Sequence, residues 1–173
     1  PKLDFMATDS MGRAHQVATI QLDMNLPERF DLTCVNDKGE RERIVMIHAA
    51  IMGSIERFMS ILIEHTGGNF PLWLSPVQVS VLPISDKHKD YANDIASALR
   101  EAGLRAEIDE SKDGLGKKVR AVKEMKTPYW LVIGDKDMEA GKYTLESRDH
   151  GNLGQLAQEE ILAKLLEEVD YKK

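Results

Sequence analysis

The sequence predicts an α/β protein in two unlike parts, an antiparallel-sheet segment over residues 1–76 and an α/β domain with a mixed sheet over residues 77–173. Three observations lead there. Two β-rich stretches, 3–9 and 14–24, flank the turn-forming Ser10-Met11-Gly12, which is the pattern of an antiparallel hairpin. From Val77 onward, strand-like runs alternate with helical periodicities, the pattern of βαβ units and a mostly parallel sheet. Between the two parts, Pro71 and Pro76 interrupt any continuous helix or central strand, so Pro71–Pro76 reads as a linker.

Each element follows from its residues. After Asn25-Leu26-Pro27, the turn formers Asn36-Asp37-Lys38-Gly39 mark a polar excursion, and Ile44–Ile47 is an apolar run suited to a buried strand. Ile51, Ile55, Phe58, Met59 and Leu62 recur on one helical face, and Gly67-Gly68 ends that helix. These three strands and one helix lack companions to cover the sheet edges, so the first part reads as a piece of a larger domain. In the second part the reading is strand 77–83, helix 86–102, strand 104–108, helix 115–126, strands 129–133 and 143–147, and helix 154–169. The short Glu139–Lys142 turn makes the last strand antiparallel to its predecessor.

Composition narrows the function classes. The formal net charge is -6, so any RNA surface has to be local. No apolar run reaches the length of a membrane span, no signal peptide is visible, and the single Cys34 forms no internal disulfide, all of which points to the cytoplasm. Pro1 at the start, running straight into a strand, reads as a cut or processed chain. Neither a P-loop nor G-x-G-x-x-G is present, which removes the common nucleotide-binding α/β domains.

Gly53-Ser54-Ile55-Glu56-Arg57-Phe58, entered from a strand and continuing into a helix, resembles motif 3 of the class II aminoacyl-tRNA synthetases. An arginine at the start of a helix can aim a permanently charged fork at a phosphate. Taken alone, Glu56 and Arg57 also suit an ordinary exposed helix face. The wider match decides between them. Thr19–Asp23, Asn25–Phe30, Met46-Ile47-His48, Phe70–Leu74 and Pro76–Val79, in that order, resemble the threonyl-tRNA synthetase family over nearly the whole chain.

That resemblance implies the C-terminal end of a class II catalytic core, with an antiparallel sheet, followed by an anticodon-binding domain. It implies an ATP-dependent ligase that joins threonine to tRNA(Thr) as a homodimer, inactive as this piece alone. A noncatalytic tRNA-binding paralogue is the alternative. Carried over by position, Arg57, Gln21 and Thr19 are the catalytic candidates. Gln16, Arg57 and Lys2 lie near ATP, which enters with magnesium, and Thr19, Gln21, Ala50 and Ser54 line the amino-acid pocket. His48 is one ligand of a zinc whose other ligands lie upstream. A lone histidine beside a strand is more often structural, so this role rests on the resemblance. The sequence departs from the common pattern at Val17-Ala18 and Ala49.

Pro83–Asp86, Ala102–Arg105, Gly116–Arg120 and Thr127–Tyr129 leading to Gly134–Lys136 resemble the anticodon-binding domain of the synthetases for histidine, glycine, threonine and proline. Lys117, Arg120 and Asp137 are the implied tRNA contacts. Lys117, Lys118, Arg120, Lys123 and Lys126 crowd one helix, which suits either a track for RNA phosphates or a solvated face. Glu146 and Lys112 stand where relatives favour arginine and asparagine, and a carboxylate at 146 can neither donate to base acceptors nor neutralise phosphate.

Overall fold

The computed structural model describes residues 1–172 and divides into two compact units, Pro1–His65 and Thr66–Lys173. In the first, β1 (Lys2–Thr8), β2 (Ala14–Asp23) and β5 (Met46–Ile51) form an antiparallel sheet in the order β1-β2-β5. Asp9 shapes the β1–β2 turn, its Oδ1 accepting the N–H groups of Met11 and Arg13 at 2.9 Å each, while Gly12 supplies a φ of +78°. A short helix α1 (Leu26–Arg29) follows, with proline in its first turn, where a missing N–H costs nothing.

The expected polar excursion is a second hairpin, β3 (Thr33–Val35) with β4 (Arg41–Arg43). Its turn is held by Asn36 Oδ1, which accepts from Lys38 and Glu40 at 3.0 Å each. The strand expected over Ile44–Ile47 runs instead from Met46 to Ile51, so Ile51 belongs to the sheet and not to the helix. The chain breaks at Met52 and Gly53, both with φ of +70°, and α2 (Ile55–Thr66) starts beyond them. Ser54 Oγ accepts the Arg57 N–H at 3.3 Å, the contact of a helix N-cap.

The second unit contains β6 (Val79–Pro83), a 3-10 turn (Asp86–His88), α3 (Lys89–Glu101), β7 (Ala106–Ile108), α4 (Leu115–Glu124), β8 (Tyr129–Ile133), α5 (Asp135–Ala140), β9 (Tyr143–Ser147), β10 (Gly151–Leu156) and α6 (Gln158–Asp170). The sheet order is β10-β9-β8-β6-β7, with β6 parallel to β7 and β8 and the remaining pairs antiparallel. The mixed sheet is the expected one. Two elements depart from expectation. A helix, α5, precedes β9, and β10 occupies the start of the stretch expected as helix 154–169. Gly151 and Gly154, both at positive φ, bend β10 around a bulge at Leu153, and helix begins only where Glu160 accepts the Ala157 N–H at 2.7 Å.

One face of this sheet, carrying Val79, Val81, Tyr129, Leu131, Ile133 and Leu145, packs with Ile95 and Leu99 of α3 and with Ile161 and Leu165 of α6 in one buried core. The helical residues stand four apart, one stripe on each helix. On the other face Leu82 and Trp130 pack with Val122 of α4. Pro71–Pro76, expected as a linker, is tied into this unit. Arg148 Nη1 donates to Phe70 O at 3.0 Å, Gln78 to Leu72 O at 2.8 Å, and Arg105 to Trp73 O and Ser75 O at 2.9 Å each. These side chains satisfy loop carbonyls that no sheet or helix could pair.

The first unit is built differently. Among its described residues Pro27 is the one that is buried. Leu3, Phe5, Ile20, Ile47 and Ile51 lie on a single face of the sheet by register and are exposed.

Two outcomes test this partition. Leu131→Ala, at a fully buried site in the central strand, is expected to destabilise the second unit by roughly 2–5 kcal/mol; a loss under about 1 kcal/mol in urea unfolding would remove Leu131 from the centre of the core. Arg148 holds the Asp149 carboxyl below its ordinary value of 3.8. A depressed carboxylate stabilises the fold above that ordinary value and ceases to as pH falls through the folded one. Asp149→Asn should therefore flatten the acid side of the stability profile, and an unchanged acid limb refutes the pairing.

Candidate functional site

The three-stranded sheet places the candidate residues on one face. In the register, Lys2 is opposite Gln21, Asp4 opposite Thr19, Gln21 opposite His48, and Thr19 opposite Ala50. Directly paired residues and residues two apart share a face, so Lys2, Asp4, Thr19, Gln21, His48 and Ala50 all do. Gln16 would fall on the reverse face in a regular strand. The register jumps from Phe5 opposite Ala18 to Met6 opposite Gln16, leaving Val17 as a bulge, and this turns Gln16 onto the same face.

Asp4 is the hub there. Gln16 Nε2 donates to its Oδ1 at 2.8 Å, and Lys2 Nζ lies 3.1 Å from its Oδ2. The Thr19 hydroxyl, screened from solvent, faces Asp4 across the strand pair but falls short of hydrogen-bond geometry. Even so, Thr19 is the largest influence holding the Asp4 carboxyl below its ordinary range, with Lys2 and Gln16 adding to it. His48 Nε2 lies 2.7 Å from Asp23 Oδ2. The Leu26 backbone N–H first, and His48 second, hold the Asp23 carboxyl low.

Ser54 caps α2, and Arg57 in the first turn of that helix is exposed, with no partner for its guanidinium among the described residues. The turn that delivers α2 touches the bulge itself, since a Cβ on Gly53 would stand 2.5 Å from Gln16 O. Sequence reasoning missed Asp4 and Asp23. Asp4 follows Lys2 by two on one strand, a same-face signal, and Asp23 precedes Asn25-Leu26-Pro27, where an aspartate commonly caps a turn.

The face fits a metal in one respect only. His48 offers a single imidazole donor, and no group of three or more His, Cys, Asp or Glu side chains able to hold an ion occurs among the described residues.

In the second unit, α4 covers β6 and β8 on the Trp130 face and leaves the polar residues Thr144 and Glu146 of β9 on that same face only half-buried. Asp137 is buried behind them. Its Oδ2 accepts the Gly134 N–H at 2.9 Å, and its Oδ1 accepts from Thr144 Oγ1 at 2.6 Å and Gln155 Nε2 at 3.0 Å. Asp137, expected as a tRNA contact, is thus spent on joining α5, β9 and β10.

The cations of α4 do not act as one patch. Lys118 is buried, donating to Pro83 O at 3.2 Å and Asp109 O at 3.1 Å. Lys126 is bonded to Gly67 O, and Lys123 sits 5.6 Å from the Trp130 ring centroid. Lys117 and Arg120 are exposed and pair along the helix with Asp113 and Glu124. A cleft of about 270 Å³ opens at the C-terminal ends of β6 and β7, bounded by Ser85, Asp86, Lys89, Lys112 and Asp113. Crevices at that end of parallel strands are common binding places.

Residues 78–168 match the anticodon binding domain family, and residues 1–66 match the tRNA synthetase class II core domain (G, H, P, S and T). Threonine--tRNA ligase from Clostridium tetani is 48% identical over 170 residues, covering 98% of this chain and 27% of the relative. The enzyme of the same name from Symbiobacterium thermophilum is 49% identical over 176 residues, with 97% and 27% covered. The chain therefore spans 27% of the length of these relatives. The crystal structure of the RNA binding domain of threonyl-tRNA synthetase from Cryptosporidium parvum superposes with a TM-score of 0.83 at 39% identity, covering 96% of this chain and 42% of that one. With a mixed-sheet domain matching one family and the antiparallel segment before it matching the other, the chain belongs to the anticodon-binding-domain family of class II aminoacyl-tRNA synthetases, as a relative of the threonine--tRNA ligases.

Proposed function

We propose that this chain serves as the C-terminal part of a threonine-tRNA ligase. The observation that carries the reading is the single sheet face holding Lys2, Gln16, Thr19, Gln21, His48 and Ala50, with α2 delivering Arg57 from its edge. In the reaction a carboxylate oxygen of threonine attacks the α-phosphorus of ATP and pyrophosphate leaves. A terminal ribose hydroxyl of tRNA(Thr) then attacks the activated carbonyl carbon and AMP leaves.

Within this scheme Arg57 holds ATP phosphate charge, and Gln16 and Lys2 flank the nucleotide, which arrives with magnesium. Thr19, Gln21, Ala50 and Ser54 shape the amino-acid pocket. Positioning and charge stabilisation of this kind do the catalytic work, because no side chain is asked to act as a nucleophile. His48 fits as one zinc ligand, the remaining ligands coming from outside the described residues. Zinc bound there would engage the amino and hydroxyl groups of threonine, which valine cannot match. The enzyme is proposed to be a cytoplasmic homodimer; no helix among the described residues is long and apolar enough to cross a membrane.

The tRNA surface is the polar part of the Trp130 face together with Lys117 and Arg120. Asp137 supports it from behind. Lys118, being buried, contributes to folding and not to phosphate binding.

Threonine-dependent ATP/pyrophosphate exchange on the full-length protein that carries this chain tests the proposal. Arg57→Ala is expected to slow exchange by about 10²–10³-fold while tRNA affinity stays unchanged. A full-length protein that binds tRNA(Thr) yet never exchanges pyrophosphate would be a noncatalytic tRNA-binding paralogue, and the ligase reading would fall. For the RNA surface, Arg120→Ala should lower the dependence of log affinity on log salt by about 1; an unaltered slope removes Arg120 from the interface.

A further inference from the structure

Asp23 ends β2, and both of its carboxylate oxygens are committed. Oδ1 accepts the backbone N–H groups of Asn25 and Leu26, each at 2.9 Å, so the turn into α1 fixes the carboxylate in place. Oδ2 meets His48 Nε2 at 2.7 Å. An ionised carboxylate accepts hydrogen bonds and donates none, so the ring nitrogen facing it must carry hydrogen. In a neutral imidazole the lone pair then resides on Nδ1, and no hydrogen bond engages that atom among the described residues. Histidines that bind metals are held in this manner, one nitrogen on the ion and the other against a carboxylate or carbonyl.

We infer that Asp23 is the positioning residue for His48, locking the Nε2–H tautomer and presenting Nδ1 as the nitrogen that ligates zinc. The inference rests on the zinc role proposed for His48 and adds to it a residue and a ligating atom. Asp23 makes the choice of tautomer a consequence of backbone geometry, because the turn that holds Oδ1 also aims Oδ2.

Asp23→Asn is the discriminating substitution. The two backbone N–H groups require an acceptor, so the amide oxygen takes the place of Oδ1 and the amide NH₂ group takes the place of Oδ2. A donor then faces Nε2, which has to accept, and the ring proton moves to Nδ1, where it blocks ligation. The turn itself keeps its two hydrogen bonds.

Zinc affinity is to be measured on the full-length protein by competition with a chromogenic chelator, using zinc alone as the probe. Imidazole ¹⁵N spectra of the zinc-free protein report the tautomer. Asp23→Asn is expected to weaken zinc binding about 10–100-fold and to switch His48 from Nε2–H to Nδ1–H. Unchanged zinc affinity in Asp23→Asn, alongside lost zinc in His48→Ala, overturns the role of Asp23 and leaves the zinc reading intact. Retained affinity in His48→Ala overturns both. A wild-type ring already in the Nδ1–H form overturns the inference without any variant, so a substitution that fails to fold does not shelter it.

Discussion

Helix α2 can leave the sheet where it does only because Gly53 has no side chain in the space beside the Gln16 carbonyl. A Cβ there would stand 2.5 Å from that oxygen, and the φ of +70° is one that side-chain-bearing residues adopt at a cost. The same stretch of β2 carries the Val17 bulge, which brings Gln16 to the polar face. One close approach therefore sets two things together, the direction in which Ser54 and Arg57 emerge and the face on which Gln16 appears. Moving either would misalign the helix with the row of Lys2, Asp4, Thr19 and Gln21. Met52, also at φ +70°, accepts strain that glycine would avoid, so the break between strand and helix occupies two residues.

The second unit meets a different constraint. Its parallel strands β6 and β8 are hydrogen-bonded on both edges and their apolar side chains fill the core, so on the proposed reading the RNA-recognising surface has to lie elsewhere. Asymmetric helix cover supplies the place. α3 and α6 cover the centre of one face, whereas α4 covers only part of the other and leaves Thr144 and Glu146 half-buried on β9. Asp137 makes that arrangement rigid by taking donors from α5's entry, β9 and β10 at once, as a buried carboxylate must.

Much of this was readable in the sequence, for identifiable reasons. Tyr129–Ile133 and Tyr143–Ser147 are dense in aromatic and β-branched residues between clear turn formers, and both strands lie where that pattern puts them. β10 was illegible because Gly-Asn-Leu-Gly-Gln-Leu has neither β propensity nor alternation; its pairing comes from the neighbouring strand and two glycine bends. β3 and β4 were hidden by their length, three residues each and exposed on both sides, and β4 also by its charges, Arg41-Glu42-Arg43. Ile51 satisfied a helical period by chance. Among the site residues, the same-face grouping of Thr19 and Gln21 follows from period two, but Gln16 is out of phase with them, and no local pattern announces a bulge. Lys118 shows the reverse error. In sequence it belongs with Lys117 and Arg120, yet one residue's rotation around α4 turns it into the protein, where backbone carbonyls of Pro83 and Asp109 replace water.

That rotation bears on how a chain of net charge -6 engages RNA on the proposed reading. Of the five cations on and beside α4, three are committed to a buried pocket, a loop carbonyl or an indole ring. Lys117 and Arg120 keep exposed partners one helical turn away, and such pairs contribute little stability and are screened by salt, so a phosphate can displace Asp113 or Glu124 at small cost. The counterion-release contribution is then confined to a few contacts. On that reading, discrimination among RNAs falls to the polar strand face, where Thr144 and Glu146 stand on a sheet that Asp137 and Trp130 hold fixed, so that a base edge would meet polar groups that do not rearrange to suit it.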